Sequence, residues 1–385
     1  MTYTADMRQG DVVQAYKRDS LIDVLRGLSI MAVLIGHFDI AYHLDDCIPG
    51  GITKSILLNL IIRNEHYAVI AFFAISGFLI TSNTQRRYGW LGRINPVSFY
   101  ALRFARIMPC LILMLVAIGV FHALGVPRFN LGTRAVSPFL AVTSVLFSFH
   151  NVLMQSAGWF SYCLNILWSI SVEEAFYFTF PLLCLMGRRT RFIALAWIAI
   201  IIAGPIHRAV WTAPMLQSYG YLSCSDAIGF GCCAAILRPH VSVTAYQAVL
   251  MQCLGAGLVA FSSLARPGVG LVLGDSIVAF GIAMVLLTTG RALDHEASKV
   301  SAPLRWFGQH SYELCLFHII LLALLRARTG KIAISLDGRF ALFVLFLGGS
   351  AALAWLVARF YSEVLNRPIR ALFVHFYPLP AAVRA

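Results

Sequence analysis

Leu21–Ile40 reads LIDVLRGLSIMAVLIGHFDI, an unbroken apolar segment except for Asp23, Arg26, His37 and Asp39. About 20 helical residues at 1.5 Å each cross the hydrocarbon layer of a bilayer. Ionisable groups inside such a span are costly, and they mark function by default. Arg26 and His37 are eleven helical steps apart, about 16 Å along the axis. One helix therefore carries a cation near one membrane face and a titratable base beyond the bilayer centre. That arrangement suits a reaction whose two substrates arrive from opposite sides.

The rest of the chain fits a membrane setting. Of 385 residues, 59% are hydrophobic and only 12% charged, with mean hydropathy +0.78. Soluble domains carry roughly 25% charged residues. We therefore expect an all-α, polytopic transmembrane helix bundle with no soluble domain. The net charge of +13 reads as the Lys and Arg that gather in cytoplasmic loops. It does not point to nucleic acid, so the expected surroundings are the lipid bilayer. The nine Cys lie mostly in apolar runs, without CxxC or Cys–His spacing, and read as small hydrophobes with no metal. Cys47 and Cys163 fall in segments expected on the outer side, where a disulfide between them is open. The first span is too long and too charged for a cleaved signal peptide.

Ten apolar stretches are long enough to span: 21–39, 67–84, 104–124, 164–186, 192–211, 217–237, 243–264, 269–290, 308–326 and 340–361. The run 139–154 is shorter and broken by Ser144, Ser148, His150 and Asn151, so we expect one short re-entrant or interfacial segment there. With both termini cytoplasmic, 20 of the 30 Lys and Arg fall on the inner side, as the positive-inside rule requires. The expected organisation is a cytoplasmic tail over 1–20, a membrane domain over 21–370 and a second cytoplasmic tail over 371–385.

Four polar sets lie within spans. They are Asp23, Arg26 and His37; Trp168-Ser169-Ile170-Ser171-Val172-Glu173-Glu174; Asp226; and Glu313 with His318. His37 and Glu173 should share the outer half, with His318 nearer the centre. A base, a carboxylate and a second imidazole at similar depth can form one polar cavity, although interhelical hydrogen bonding alone also produces such clusters. In Phe72–Thr81, Ser76-Gly77 allows close approach of a neighbouring backbone or contact with a substrate. Arg103 and Arg106, at i and i+3, share a helix face. With Arg86, Arg87 and Arg93 they form a basic inner rim that suits the phosphates of coenzyme A.

These stretches resemble integral-membrane acyltransferase family 3. The matching residues are Asp23-x-Leu25-Arg26-Gly27 with His37 ten residues on, FFxxSGFLIT at Phe72–Thr81, and Tyr100-x-x-Arg103-x-x-Arg106-x-x-Pro109. Further on come Trp168-Ser169-x-Ser171-x-Glu173-Glu174-x-Phe176-Tyr177 with Pro181, and Gly308-x-x-Ser311-Tyr312-x-x-x-Leu316-x-His318. The match departs at the end, where Glu363 and Pro368 are separated by four residues rather than one. The resemblance implies acyl transfer from acyl-CoA, commonly acetyl-CoA, to a hydroxyl of a sugar-containing acceptor. It implies a multi-pass protein of the bacterial cytoplasmic membrane. It makes Arg26 and His37 the essential pair and includes Glu173 in the WSxSxE motif.

Residue chemistry agrees. A sugar hydroxyl is a poor nucleophile and needs a base, and a neutral imidazole can take its proton and return it to the departing thiolate. Glu173 or Glu174 would orient that imidazole, as the acid of a triad does. Asp23, Arg26, Ser76, Trp168, Ser171 and His318 are the expected substrate-binding residues, with Arg103 and Arg106 on the coenzyme. There is no GxSxG elbow and no strand-bound GxGxxG. Two other readings are open: an acyltransferase for a small acceptor such as a macrolide, and a proton-coupled transporter, although the inverted repeats of a transporter are not evident.

Overall fold

Asp19 starts the first helix. In the computed structural model its carboxylate accepts from the backbone N–H of Leu21 (3.0 Å) and Ile22 (3.4 Å), capping α1 (Ser20–Tyr42). The structure describes residues 19–44, 50–51, 54, 56, 58–62, 64–187, 189–265, 269–289, 299–329, 334–366 and 368. Nearly all of the two expected tails, and Cys47, fall outside these residues. Cys163 is buried in the loop before α6; its thiol donates to Arg128 O (3.6 Å), and burial pushes it up to about 12.

All described elements are helical. After α1 come α2 (Glu65–Tyr88), α3 (Pro96–Ala123), α4 (Pro138–Leu146), α5 (His150–Ala157), α6 (Trp168–Met186) and α7 (Thr190–Val210). Then follow α8 (Pro214–Tyr219), α9 (Tyr221–Leu237), α10 (Ala245–Leu264), α11 (Val269–Leu286), α12 (Ala302–Gln309), α13 (Ser311–Thr329) and α14 (Leu336–Val357). Among the described residues, eight helical segments are long and apolar enough to cross a membrane, and the pair α12–α13, bent by 72°, makes a ninth if counted as one span. The described part of α11, Val272–Leu286, is apolar but shorter. Each of the ten expected spans coincides with one of these helices. The run 139–154 forms the short pair α4 and α5, reversed at Ser148 with φ of 61°; neither is long enough to cross.

Polar contacts and small residues set the packing, because lipid tails offer no hydrophobic drive between helices. A Cβ on Gly231 would stand 1.9 Å from Ala74 O, and one on Gly77 would stand 2.2 Å from Ile228 O. Glycine thus lets α2 and α9 touch backbone to backbone. A buried ion pair joins α7, α9 and α11. Arg208, 1% exposed, donates to both carboxylate oxygens of Asp226 (3.1 and 2.7 Å), to Ser276 Oγ (2.6 Å) and to Val272 O (2.8 Å). With its donors satisfied the pair is tolerated, and removing one partner alone would cost about 3–5 kcal/mol. Pro109 deprives α3 of one internal donor. Nearby, Tyr312 OH donates to Ile107 O (2.8 Å) and Tyr361 OH to Pro109 O (3.2 Å). These bonds tie α13 and the turn after α14 to α3.

The α2–α9 contact predicts a size limit. Gly231→Ala should lower the midpoint of thermal unfolding in detergent, at a cost of about 1–3 kcal/mol for overpacking. Gly257→Ala, where a Cβ meets nothing within 4 Å, should leave it unchanged or raise it. Equal midpoints for the two variants would show that the contact does not limit the fold.

Candidate active site

Two of the sequence motifs meet on one contact. A Cβ on Gly27 would stand 2.0 Å from Leu304 O, and one on Gly308 1.8 Å from Asp23 O. Backbone contact of this kind brings α12 and the start of α13 against the first turns of α1. Gln309 Nε2 donates to Asp23 Oδ2 (3.1 Å), and Arg26 Nη2 donates to Ser311 Oγ (2.7 Å). The break between α12 and α13 falls at His310, whose ring stacks on Trp306 with centroids 4.3 Å apart. It turns Ser311 toward Arg26.

Farther along α1, His37 Nδ1 lies 2.8 Å from His318 Nε2 of α13. The ring centroids are 5.0 Å apart and the planes differ by 8°. At that separation the bonded nitrogens lie almost on the line between centroids, so the rings meet edge to edge in one plane, as an N–H···N bond requires. The tautomers follow. His318 Nδ1 lies 2.8 Å from Leu314 O, which can only accept, so that nitrogen carries the hydrogen. Neutral His318 then offers a lone pair at Nε2, and His37 donates from Nδ1. The lone pair of His37 is left on Nε2, assigned here from the hydrogen-bond network. His37 is half-buried and His318 is 1% exposed. The buried ring holds the accessible one.

The two acids of the WSxSxEE motif face different neighbours. Glu173 is half-buried; Ser76 Oγ donates to its Oε1 (2.9 Å) and Tyr177 OH to its Oε2 (3.1 Å). Arg103 lies over the Tyr177 ring (5.5 Å) and the Phe99 ring (5.7 Å). Glu174 is buried and takes a hydrogen bond from Ser148 Oγ, while Ser171 Oγ accepts from His150 N (3.3 Å). Ser171 and Glu174 thus hold the α4–α5 hairpin, whereas Ser76 and Glu173 face each other across α2 and α6. The imidazole of His37 is oriented by His318, not by either carboxylate. Trp168 opens α6 and packs edge-on against Phe73, with centroids 6.0 Å apart.

A cavity of about 440 Å³ opens where α1 begins and α2 ends. Arg26, Arg86 and Arg106 line it together with Asp19, Asp23, Glu313 and Glu363. Arg103 is not among its lining residues. Sequence reasoning placed Arg86 in the basic rim but named only Arg103 and Arg106 as coenzyme-binding residues. It also missed Gln309, the Arg208–Asp226 pair, and Asp275, whose Oδ1 is 3.0 Å from His66 Nε2. Asp275 carried the same signal as Asp226, an acid within an apolar run. Arg208 carried none, because it falls at the end of a span.

The acyltransferase domain of acyltransferase family 3 matches residues 19–359. The chain belongs to this family. It is 26% identical over 333 residues to the peptidoglycan O-acetyltransferase OatA of Listeria monocytogenes, a match covering 79% of this chain and 49% of that protein. A Bacillus subtilis protein, YrhL, provisionally named a peptidoglycan O-acetyltransferase, is 24% identical over 280 residues, 66% of this chain and 43% of that one. A provisionally named O-acetyltransferase of Staphylococcus aureus strain COL is 30% identical over 168 residues, 42% of this chain and 24% of the relative. The chain spans about half or less of the length of these relatives. No solved structure matches it significantly.

The tautomer assignment is testable. His318→Ala removes the acceptor that fixes His37 and should lower acyl transfer by between about 10- and 10⁴-fold. His318→Gln, whose Oε1 can still accept from His37 Nδ1, should retain more turnover. Equal losses in the two purified variants would remove the orienting role.

Proposed function

We propose that this protein is a membrane O-acetyltransferase that moves an acetyl group from acetyl-CoA to a hydroxyl of a sugar polymer in a bacterial envelope. The observation that carries this reading is the His37–His318 pair, whose hydrogen-bond pattern leaves a lone pair on His37 Nε2 within a helix bundle. Family membership over residues 19–359 and the names of the relatives support it.

His37 Nε2 accepts the proton of the acceptor hydroxyl as that oxygen attacks the thioester carbonyl carbon. The C–S bond then breaks, and the imidazolium returns the proton to the departing thiolate. The products are an O-acetyl ester and free coenzyme A. His318 keeps the reactive nitrogen aimed throughout and shares the transient positive charge through its hydrogen bond. Arg26, Arg86 and Arg106 bind the phosphates of the donor, since guanidinium matches phosphate bidentately. Arg103 positions Tyr177 and, through it, Glu173, whose carboxylate with Ser76 offers a polar surface for substrate. We place the cavity end of the bundle toward the cytosol, where acetyl-CoA is made. The pantetheine arm then reaches about 16 Å from Arg26 toward His37, and the acceptor enters from the far end.

Purified protein with acetyl-CoA and an acceptor glycan tests the chemistry. His37→Ala should remove the general-base contribution, about 10²–10⁴-fold; near-wild-type turnover would overturn the assignment. Arg86→Ala combined with Arg106→Ala should raise the KM for acetyl-CoA at least tenfold, since a charge-assisted contact is worth roughly 1.5–3 kcal/mol. An unchanged KM would confine these arginines to topology.

Orientation has its own test. In intact cells an impermeant maleimide should label Arg134→Cys, in the exposed loop after α3, and spare Arg189→Cys before α7. The opposite pattern would invert the assignment and remove the two-sided route.

A further inference from the structure

The end of the bundle opposite the cavity carries an arrangement that the acetyl-transfer chemistry does not use. Trp159, in the loop between α5 and α6, is 57% exposed. Its ring meets Tyr219 edge to face with centroids 5.4 Å apart. Tyr219 ends α8 and in turn touches Trp168 (4.7 Å) and His66 (6.2 Å). His66 is the second residue of α2, with its side chain 30% exposed, and it pairs with Asp275 of α11. Four helices and a loop therefore bring rings together over an ion-paired base.

A helix contact connects this cluster with the stretch of α1 that carries the proposed base. Glu65 precedes His66, and its carboxylate lies against Gly36, where an added Cβ would meet Glu65 Oε2 at 2.7 Å. Gly36 precedes His37. The Gly36–Glu65 contact thus joins α1, at the residue before His37, to α2, at the residue before His66.

Lipid-facing Trp and Tyr also gather at membrane interfaces. Such belt residues anchor singly, however, each with an apolar body and a wet tip. Here the rings converge on one another and on His66, and the polar groups lie beneath them. A ring face beside a few fixed hydrogen-bonding groups is the chemistry that recognises a pyranose. Its axial C–H bonds present an apolar, weakly positive face to the negative face of an aromatic ring, and its hydroxyls need carboxylate and imidazole partners.

We propose that this ring cluster is a carbohydrate subsite, with Trp159 stacking on a pyranose ring of the acceptor and Glu65 and His66 holding its hydroxyls on the way to His37. The inference rests on the sugar-acceptor reading above and names the residues that would serve it. The side chain doing most of the work is Trp159, since Trp168 and Tyr219 are largely covered and mainly set its angle.

The full-length protein in lipid nanodiscs tests this with two independent readouts. The probes are a panel of neutral, N-acetylated and uronic-acid oligosaccharides. The first readout is tryptophan fluorescence on titration with each glycan; the second is the KM of each glycan in acetyl transfer. Trp159→Ala should abolish the fluorescence response and raise the glycan KM about tenfold or more, the usual scale for losing a central aromatic contact. The KM for acetyl-CoA should stay within about twofold. Trp159→Phe, which keeps a ring face, should restore most of the affinity. Trp211, 53% exposed at the end of α7, is the control for a membrane-belt role, and Trp211→Ala should leave the glycan KM unchanged. Transfer by the wild type with a glycan KM that Trp159→Ala does not move would overturn the subsite and leave the proposed function standing. Glycan binding that depends on Trp159, without acetyl transfer, would support the subsite and overturn the function. No response to any glycan in either readout would overturn the subsite.

Discussion

The contact of α1 with α12 and α13 governs the rest of the site. It is made possible by two residues without side chains, Gly27 and Gly308, whose backbones touch the opposing helix. On that contact the structure lays three polar links in a row, Gln309 to Asp23, Arg26 to Ser311, and His37 to His318. Between helices in lipid, a polar group left without a partner is costly, so links of this kind fix register more than they add stability. A slide of α13 along α1 by one turn would break all three together. The depths of His37 and Arg26 in the bundle are thereby set relative to each other, as the proposed reaction at a fixed distance from a bound anion would require.

Much of this was legible in the sequence. Apolar length located a helix at each of the ten expected stretches, of which eight, or nine with the bent pair, are long enough to cross among the described residues, and the broken run 139–154 announced a segment that does not cross. Asp23, Arg26, His37 and His318 stood out because each is an ionisable group in hydrocarbon. Pairing was a different matter. Glu173 and Glu174 are adjacent in sequence, so helical geometry sends them to different faces, but only the packed structure shows that Glu173 meets Ser76 while Glu174 meets Ser148. The partner of His37 could not be read either. A carboxylate is the usual partner of a catalytic imidazole, and the motif offered two. Which side chain arrives at His37 depends on the bend at His310, and a 72° change of direction has no signature in a hydrophobic pattern.

The basic rim separates in the same way. Arg86, Arg103 and Arg106 are alike in sequence as cations near the end of a span. Helix rotation places Arg86 and Arg106 on the cavity and Arg103 over the rings of Tyr177 and Phe99. A guanidinium stacked on aromatic faces is held in place and cannot swing to follow a ligand, while its charge still acts on the carboxylate bound to Tyr177. Arg103 therefore links the donor end of the bundle to Glu173 without facing the cavity.

An imidazole paired with an imidazole also suits the medium better than the more familiar imidazole–carboxylate pair. In the resting state both rings of His37 and His318 are neutral, so nothing in the pair needs solvation, and the cost of an uncompensated buried charge does not arise. A carboxylate in the place of His318 would hold a full negative charge in the membrane between turnovers. In the proposed reaction, positive charge would develop on the pair only while the hydroxyl proton is in transit, matched by the negative charge growing on the tetrahedral oxygen. The proposed reacting position thus carries no standing charge, whereas among the charges the helix bundle buries Arg208 stands in a pair with Asp226. The two rings differ in exposure in the same sense: His318, which accepts the hydrogen bond, is enclosed, and His37, the proposed base, is half-buried.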